Sequence, residues 1–265
     1  MSRKRGKHFD NQKEIRRKGK VQNKKNKTVF PLFRIVSVII ILVCVFYIAI
    51  WLKGNSDNNK MLERAHSAVT LENIDGISKI VSVDFEALKQ INSDTVGWIK
   101  VNNTKVDYPV VQTGNNSYYL NHSFDKSYNV LGWVFMDYRI DENETDKNIT
   151  IYGHNAKNGS MFASLKDILK EEWYSNEENL NVLYVNEEGS HTYKVFSIYQ
   201  IEEETYYTNN FFSSDAEYEE FIDVIKGRSI VDFRVDVTKD DQILTLSTCA
   251  NNNKYRVVLH AKKII

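Results

Sequence analysis

Two groupings in this 265-residue chain have the residue types and spacing that bond-making chemistry needs. The first is Leu244-Thr245-Leu246-Ser247-Thr248-Cys249, a β-rich run that closes on a thiol. The polar turn Ala250-Asn251-Asn252-Asn253-Lys254 follows, and Tyr255-Arg256-Val257-Val258-Leu259-His260-Ala261 runs back. Arg256 interrupts an apolar strand, where a guanidinium is costly unless paired or solvated. It lies seven residues from Cys249. The two share a face if the register sets them opposite each other across a six-residue loop. A thiolate beside a permanent cation has a depressed pKa and is the reactive form of cysteine. The second grouping is Ile149-Thr150-Ile151-Tyr152-Gly153-His154-Asn155, a β-run ending in Gly-His. It sets an imidazole at a strand's rim, and imidazole is the side chain best suited to proton transfer near neutral pH.

Taken singly, each residue also fits an ordinary role. Free cysteines are most often small buried hydrophobes, lone histidines are usually surface or satisfied core residues, and Arg256 can snorkel from a sheet edge. Two rivals to His154 exist: His122 follows Asn121 in a polar loop, and His260 stands in a strand that should be well packed. Both read as structural. The acids near His154 show no ligand spacing, so no metal is implied, and no cofactor is.

The elements that must position these residues follow from periodicity. After Gly97 the chain reads as short β-rich runs at 98–101, 106–112, 132–137, 148–153, 180–185, 192–201, 242–249 and 255–264, with turn residues between most of them. Helical patterns fall at 61–69, at 85–91 behind the N-cap candidate Asp84, at 161–170 and at 214–226. The last lies inside a long connection before the Cys249 strand. About eight strands without a strand–helix rhythm favour a mostly β fold with added helices, a closed antiparallel barrel, over a doubly wound sheet.

The charge distribution locates the barrel. The chain holds 35 Lys+Arg and 35 Asp+Glu, a balance that argues against nucleic-acid binding. Residues 1–34 hold 13 basic groups and two acids, a net of +11, which leaves 22 basic and 33 acidic groups, a net of −11, in 35–265. The junction at 35–52 is 18 residues without a charge, roughly 27 Å as a helix and close to a bilayer's hydrocarbon thickness. It lacks the polar stripe of a core helix and the small-residue cut site of a cleaved leader, so it reads as an uncleaved anchor. The cationic flank keeps the N-terminus cytoplasmic and the remainder extracellular. The expected organisation is a basic tail at 1–34, a transmembrane helix at 35–52, a polar linker at 53–60 and one catalytic domain at 61–265. That domain divides into helices at 61–95 and the barrel at 96–265. Of the two cysteines, Cys44 falls within the span, which leaves Cys249 as an exported thiol without a partner. On such a chain, Cys249, His154 and Arg256 together point to a nucleophile, a proton carrier and a charge stabiliser.

Thr245-Leu246-Ser247-Thr248-Cys249 with Arg256, and Tyr152-Gly153-His154-Asn155, resemble the signature of sortases, membrane-anchored cysteine transpeptidases of Gram-positive bacteria. The runs 92–98, 108–112, 118–121, 132–139 and 159–162, the leading helices and the helix at 214–226 are similar to class B sortases. Together the resemblance covers roughly residues 60–265. It implies an eight-stranded sortase-type barrel in which Cys249 attacks the Thr carbonyl of a sorting signal near the C-terminus of a surface protein. His154 would protonate the departing amine, and Arg256 with backbone amides would hold the oxyanion. An amine of the peptidoglycan cross-bridge would then resolve the thioacyl intermediate. Asn116, Leu120, Tyr207 and Ser247 would line the substrate groove. The short Cys-to-Arg turn is one departure from the family pattern. Two other readings remain. One is an L,D-transpeptidase-like wall enzyme, against which Thr248 before the cysteine and the seven-residue gap both argue. The other is a tethered binding barrel whose cysteine is only core.

Overall fold

The computed structural model describes residues 6–74, 77–141, 146–250 and 254–264, with the side chains of 6–32, 71–79 and 249–250 outside that description. The chain divides between Lys53 and Gly54 into two units. The described residues of the first lie within helix α1 (Gly6–His66), whose stretch from Phe33 is long and apolar enough to cross a membrane. Its isoleucines and valines are exposed along the whole of 35–50, as expected of a helix with no protein core to enter.

The second unit begins with the rest of α1, and here the structure departs from the expected linker. Residues 54–60 are helical rather than a free connection, and Asn58 is only 3% exposed. Its amide donates to the Gly132 carbonyl (3.2 Å), while its Oδ1 accepts from Ser123 Oγ and Asn129 Nδ2. A polar composition was legible; the hydrogen bonds that allow an asparagine to be buried were not. The helical pattern at 61–69 ends at His66, and Val69 opens strand β1 (Val69–Ile74), which pairs with β2 (Ile77–Val83). This hairpin replaces part of the purely helical 61–95 region expected from sequence. Helix α2 (Phe85–Ile91) follows, capped as anticipated: Asp84 accepts from the Ala87 N–H.

Eight further strands close the barrel: β3 (Thr95–Val101), β4 (Asp107–Val111), β5 (Phe135–Met136), β6 (Asn148–Tyr152), β7 (Asn181–Asn186), β8 (Gly189–Glu202), β9 (Ile243–Ala250) and β10 (Tyr255–Lys263). Their order around the barrel is β10-β8-β7-β3-β4-β5-β6-β9. The expected run at 132–137 shrinks to two residues. Gly132 has φ of +59°, and a Cβ there would stand 2.4 Å from the Tyr119 carbonyl oxygen, so this stretch turns rather than extends. The barrel is not wholly antiparallel, because β4 pairs with β5 and β6 with β9 in parallel. Hydrophobic alternation reveals which residues face the core but not strand direction, so the parallel pairs were invisible in the sequence.

The main buried cluster includes Ile99, Val110, Trp133, Ile151, Val182, Leu244, Leu246 and Leu259, while Trp98, on the opposite face of β3 from Ile99, packs against His66 of α1. The 161–170 pattern appears as a 3-10 segment, Ala163–Leu169, followed by the short helix α3 (Glu171–Tyr174). Helix α4 (Asp215–Gly227), capped by Ser214, lays Tyr218, Phe221, Ile222 and Ile225 over Phe196, Tyr199 and Val258 on the outside of the barrel.

Candidate active site

The parallel pairing of β6 with β9 brings the chemistry to one rim. Tyr152 stands opposite Ser247, and the Gly153 N–H donates to the Ser247 carbonyl (3.2 Å). His154 and Cys249 are each two residues beyond that rung, and parallel strands carry both C-terminal ends to the same side. On the other flank of β9 the strands are antiparallel, and Cys249 pairs with Arg256. The register required for the thiol and the guanidinium to share a rung is therefore the observed one. The Cys249 side chain itself, like residues 251–253 of the turn, lies outside the described residues.

His154 is held from both sides. Its backbone carbonyl accepts from the Phe162 N–H (2.9 Å), and the Phe162 ring lies so close to Gly153 that a Cβ there would come within 2.5 Å of it. Its Nε2 lies 2.9 Å from the Leu120 carbonyl oxygen. A carbonyl can only accept, so this contact places the proton of the neutral ring on Nε2. Beneath the ring is Gly132, where a Cβ would stand 2.8 Å from His154 Cδ2.

Arg256 is half-buried on β10. Its Nη1 donates to the Tyr255 carbonyl (3.2 Å), and its Nη2 forms an ion pair with the Glu203 carboxylate. Around these residues lies a cavity of about 210 Å3, bordered by Asn116, Leu120, His154, Tyr207, Ser247 and Arg256. All four residues expected to line a substrate groove are thus on its wall. Tyr207 is buried and shares a hydrogen bond with Ser247 Oγ (2.9 Å), Asn116 Oδ1 accepts from the Tyr138 N–H, and the Leu120 side chain is 43% exposed.

Sequence reasoning missed four further wall residues: Phe135, Tyr152, Gly153 and Thr248. Thr248 is buried with no hydrogen-bond partner for its hydroxyl among the described residues. Its position beside Cys249 was the available signal. Tyr152 donates to Asp137 Oδ2 (2.9 Å), and Asp137 is fully buried in a two-point ion pair with Arg139. Burial alone would raise the Asp137 carboxyl, but the Arg139 guanidinium and N–H and the Tyr152 hydroxyl outweigh it and hold the group below its ordinary range. Burial, and then the Asp137 charge, raises the Tyr152 phenol, so it remains a neutral donor.

Both rival histidines lie off the cavity wall. His122 stacks on Tyr118 and bonds its carbonyl through Nδ1 (2.7 Å). His260 is fully buried between Thr245 Oγ1 and the Tyr199 hydroxyl, each 2.8 Å away. Burial, with the Arg228 charge adding to it, holds its pKa at about 3. Among the described residues no group of three or more His, Cys, Asp or Glu could hold a metal ion.

Comparison with known proteins gives a consistent picture. The family model described as the Sortase domain matches residues 99–264. Over 187 residues the chain is 36% identical to Sortase B of Staphylococcus aureus (strain NCTC 8325 / PS 47), a match covering 69% of this chain and 76% of that protein. Its fold is similar to sortase B from B. anthracis in complex with AAEK1, with a TM-score of 0.69 and 36% identity, over 80% of this chain and 99% of that one. A Staphylococcus aureus sortase B-substrate complex is similar with a TM-score of 0.64 and 36% identity, over 68% and 84% of the two chains.

Proposed function

The chain belongs to the sortase family, to class B, and is a cysteine transpeptidase; on that premise we propose that Cys249, His154 and Arg256 carry its reaction. The observation that supports this assignment is the double register of β9, parallel to β6 at Tyr152↔Ser247 and antiparallel to β10 at Cys249↔Arg256. In the proposed reaction the Cys249 thiolate attacks the Thr carbonyl of a sorting signal. A carbon–sulfur bond forms, the Thr–amide bond breaks, and His154 gives its Nδ1 proton to the leaving amine. Arg256 and backbone N–H groups face the negative charge that builds on the carbonyl oxygen. An amine of the peptidoglycan cross-bridge then attacks the thioester. The new amide forms as the carbon–sulfur bond breaks, neutral His154 takes the amine's proton, and the thiolate returns.

Asn116, Leu120, Tyr207 and Ser247 would hold the peptide's residues ahead of the scissile bond, with the Leu120 side chain as an apolar contact and Ser247 and Tyr207 as polar ones. The apolar helix at 35–52 anchors the enzyme, with the +11 tail in the cytoplasm and the acidic unit outside.

The test uses the full chain in detergent micelles with quenched peptides carrying Asn-Pro-x-Thr-Asn, Ser-Pro-x-Thr-Gly or Leu-Pro-x-Thr-Gly. Cleavage after Thr of at least one, abolished by Cys249→Ala, is expected. Cleavage that survives that substitution, or no cleavage of any, sinks the assignment.

A further inference from the structure

A second and larger cleft, of about 570 Å3, is lined by the next residue along the chain: His154 lines the smaller cavity and Asn155 lines this one. Three lysines border it, Lys105 from the β3–β4 turn, Lys157 from the loop after His154 and Lys166 from the 3-10 segment. The Lys105 ammonium reaches across toward Gly159, lying 3.7 Å from where a Cβ on that glycine would stand, while its backbone N–H donates to Ser164 Oγ (2.8 Å). None of the three lysines makes an ion pair among the described residues. The only acid on the wall, Asp167, is already paired with Lys170 (2.8 Å). This is a local excess of positive charge on a part of the chain whose net charge is −11.

We propose that this cleft is the binding site for the carboxylates of the acceptor, the peptide that brings the attacking amine to His154; the proposal rests on the transpeptidation reading above. The chemistry of the wall selects carboxylates. Lysine binds phosphate as well as carboxylate, as a point charge, but ammonium groups dispersed over three segments match single charges spread along a peptide better than one compact multivalent anion. The placement suits the order of events, since the sorting peptide occupies the smaller cavity when the second substrate must approach from another side. An acceptor seated beside Asn155 would present its amine one residue from the imidazole that must take its proton.

The experiment measures transfer by the full chain in detergent micelles, with a cleavable sorting peptide as donor and either triglycine or triglycinamide as acceptor. These acceptors share the amine and differ by one carboxylate. At low ionic strength the apparent KM for triglycine is expected to be roughly fivefold below that for triglycinamide. The ratio should approach one in the triple variant Lys105→Gln, Lys157→Gln, Lys166→Gln, and in the unmodified chain at high salt. Melting temperatures report whether the variant is folded, and single Lys→Gln variants replace it if it is not. Equal KM values for the two acceptors at low salt, or a ratio that survives neutralisation of the lysines, overturns the proposal. Inorganic phosphate competing with triglycine at concentrations where acetate does not would assign the cleft to phosphate groups and overturn the carboxylate reading. If the donor is never cleaved, the underlying transpeptidation reading fails instead.

Discussion

Acidification should expose His260 as a stability element. Its ring is fully buried, and its hydrogen bonds fix its protonation. Asn148 Nδ2 donates to the Tyr207 and Asn209 carbonyls, so its Oδ1 is left to accept from Thr245 Oγ1. The Thr245 oxygen must then accept from Nδ1–H of His260, and the Tyr199 hydroxyl donates to Nε2. With both nitrogens engaged and the pKa held at about 3, the native ring stays neutral while the unfolded one titrates near its ordinary 6.5. The unfolded state therefore binds the extra proton, and stability that is complete above 6.5 declines as the pH falls toward 3. Lowering the pH from about 8 to about 5 should cost about 2 kcal/mol through this residue alone. The assay is urea unfolding of the 54–265 unit at both pH values, for the parent and for His260→Gln, with His260→Asn as a second variant. Carboxylates also titrate over this range, so the test is the difference between parent and variant. The parent should lose about 2 kcal/mol more than the variant. Equal losses would refute the buried neutral imidazole, as would an imidazolium signal for His260 in the native state at pH 5.

Three other substitutions have signs set by the geometry. His154→Ala should abolish turnover of a sorting peptide while leaving the melting temperature within a few degrees of the parent, because the half-exposed ring borders the cavity and has a single carbonyl partner. Asp137→Asn should destabilise by roughly 3 kcal/mol at neutral pH, at the lower end for a broken buried pair because Arg139 is 39% exposed and can be rehydrated. The folded Asp137 carboxyl is depressed, so its contribution is present above the unfolded value and fades as the pH falls through the folded one; the gap between parent and variant should close in acid urea titrations. Gly132→Ala should cost about 1–3 kcal/mol from the positive φ, plus the displacement of either the Tyr119 carbonyl or the His154 ring. Its kcat should fall even where the protein remains folded, as stopped assays beside melting curves would show.

Much of this was legible from types and spacing. The strands at 148–153, 242–249 and 255–264 appear within a residue or two of their expected bounds, because each is a run of apolar and β-branched residues closed by turn formers. Asp84 announced its helix through capping chemistry that is entirely local. What escaped was non-local. The parallel rung of Tyr152 on Ser247 depends on which strands meet, and no periodicity encodes that. Asn58 read as linker because its partners, Ser123 and Asn129, are more than sixty positions away. Asp137 looked like an ordinary acid until Tyr152 and Arg139 closed on it. The strand pair at 69–83 was a local miss, because helical spacing upstream obscured its β-rich runs.

The rungs on either side of β9 differ greatly in the chain length they enclose. Cys249 meets Arg256 across a hairpin, seven positions apart, whereas Ser247 meets Tyr152 only after 95 positions have been threaded between them. Hairpins of that kind close in microseconds, and distant parallel pairings wait for the intervening chain to be ordered. An emerging chain should therefore acquire thiol and guanidinium together, well before the imidazole arrives. On the proposed assignment, an incomplete barrel would bring Cys249 and Arg256 together without His154, so it could be alkylated at Cys249 without completing a transfer. On that assignment the topology ties the enzyme's competence to closure of the β6–β9 pair.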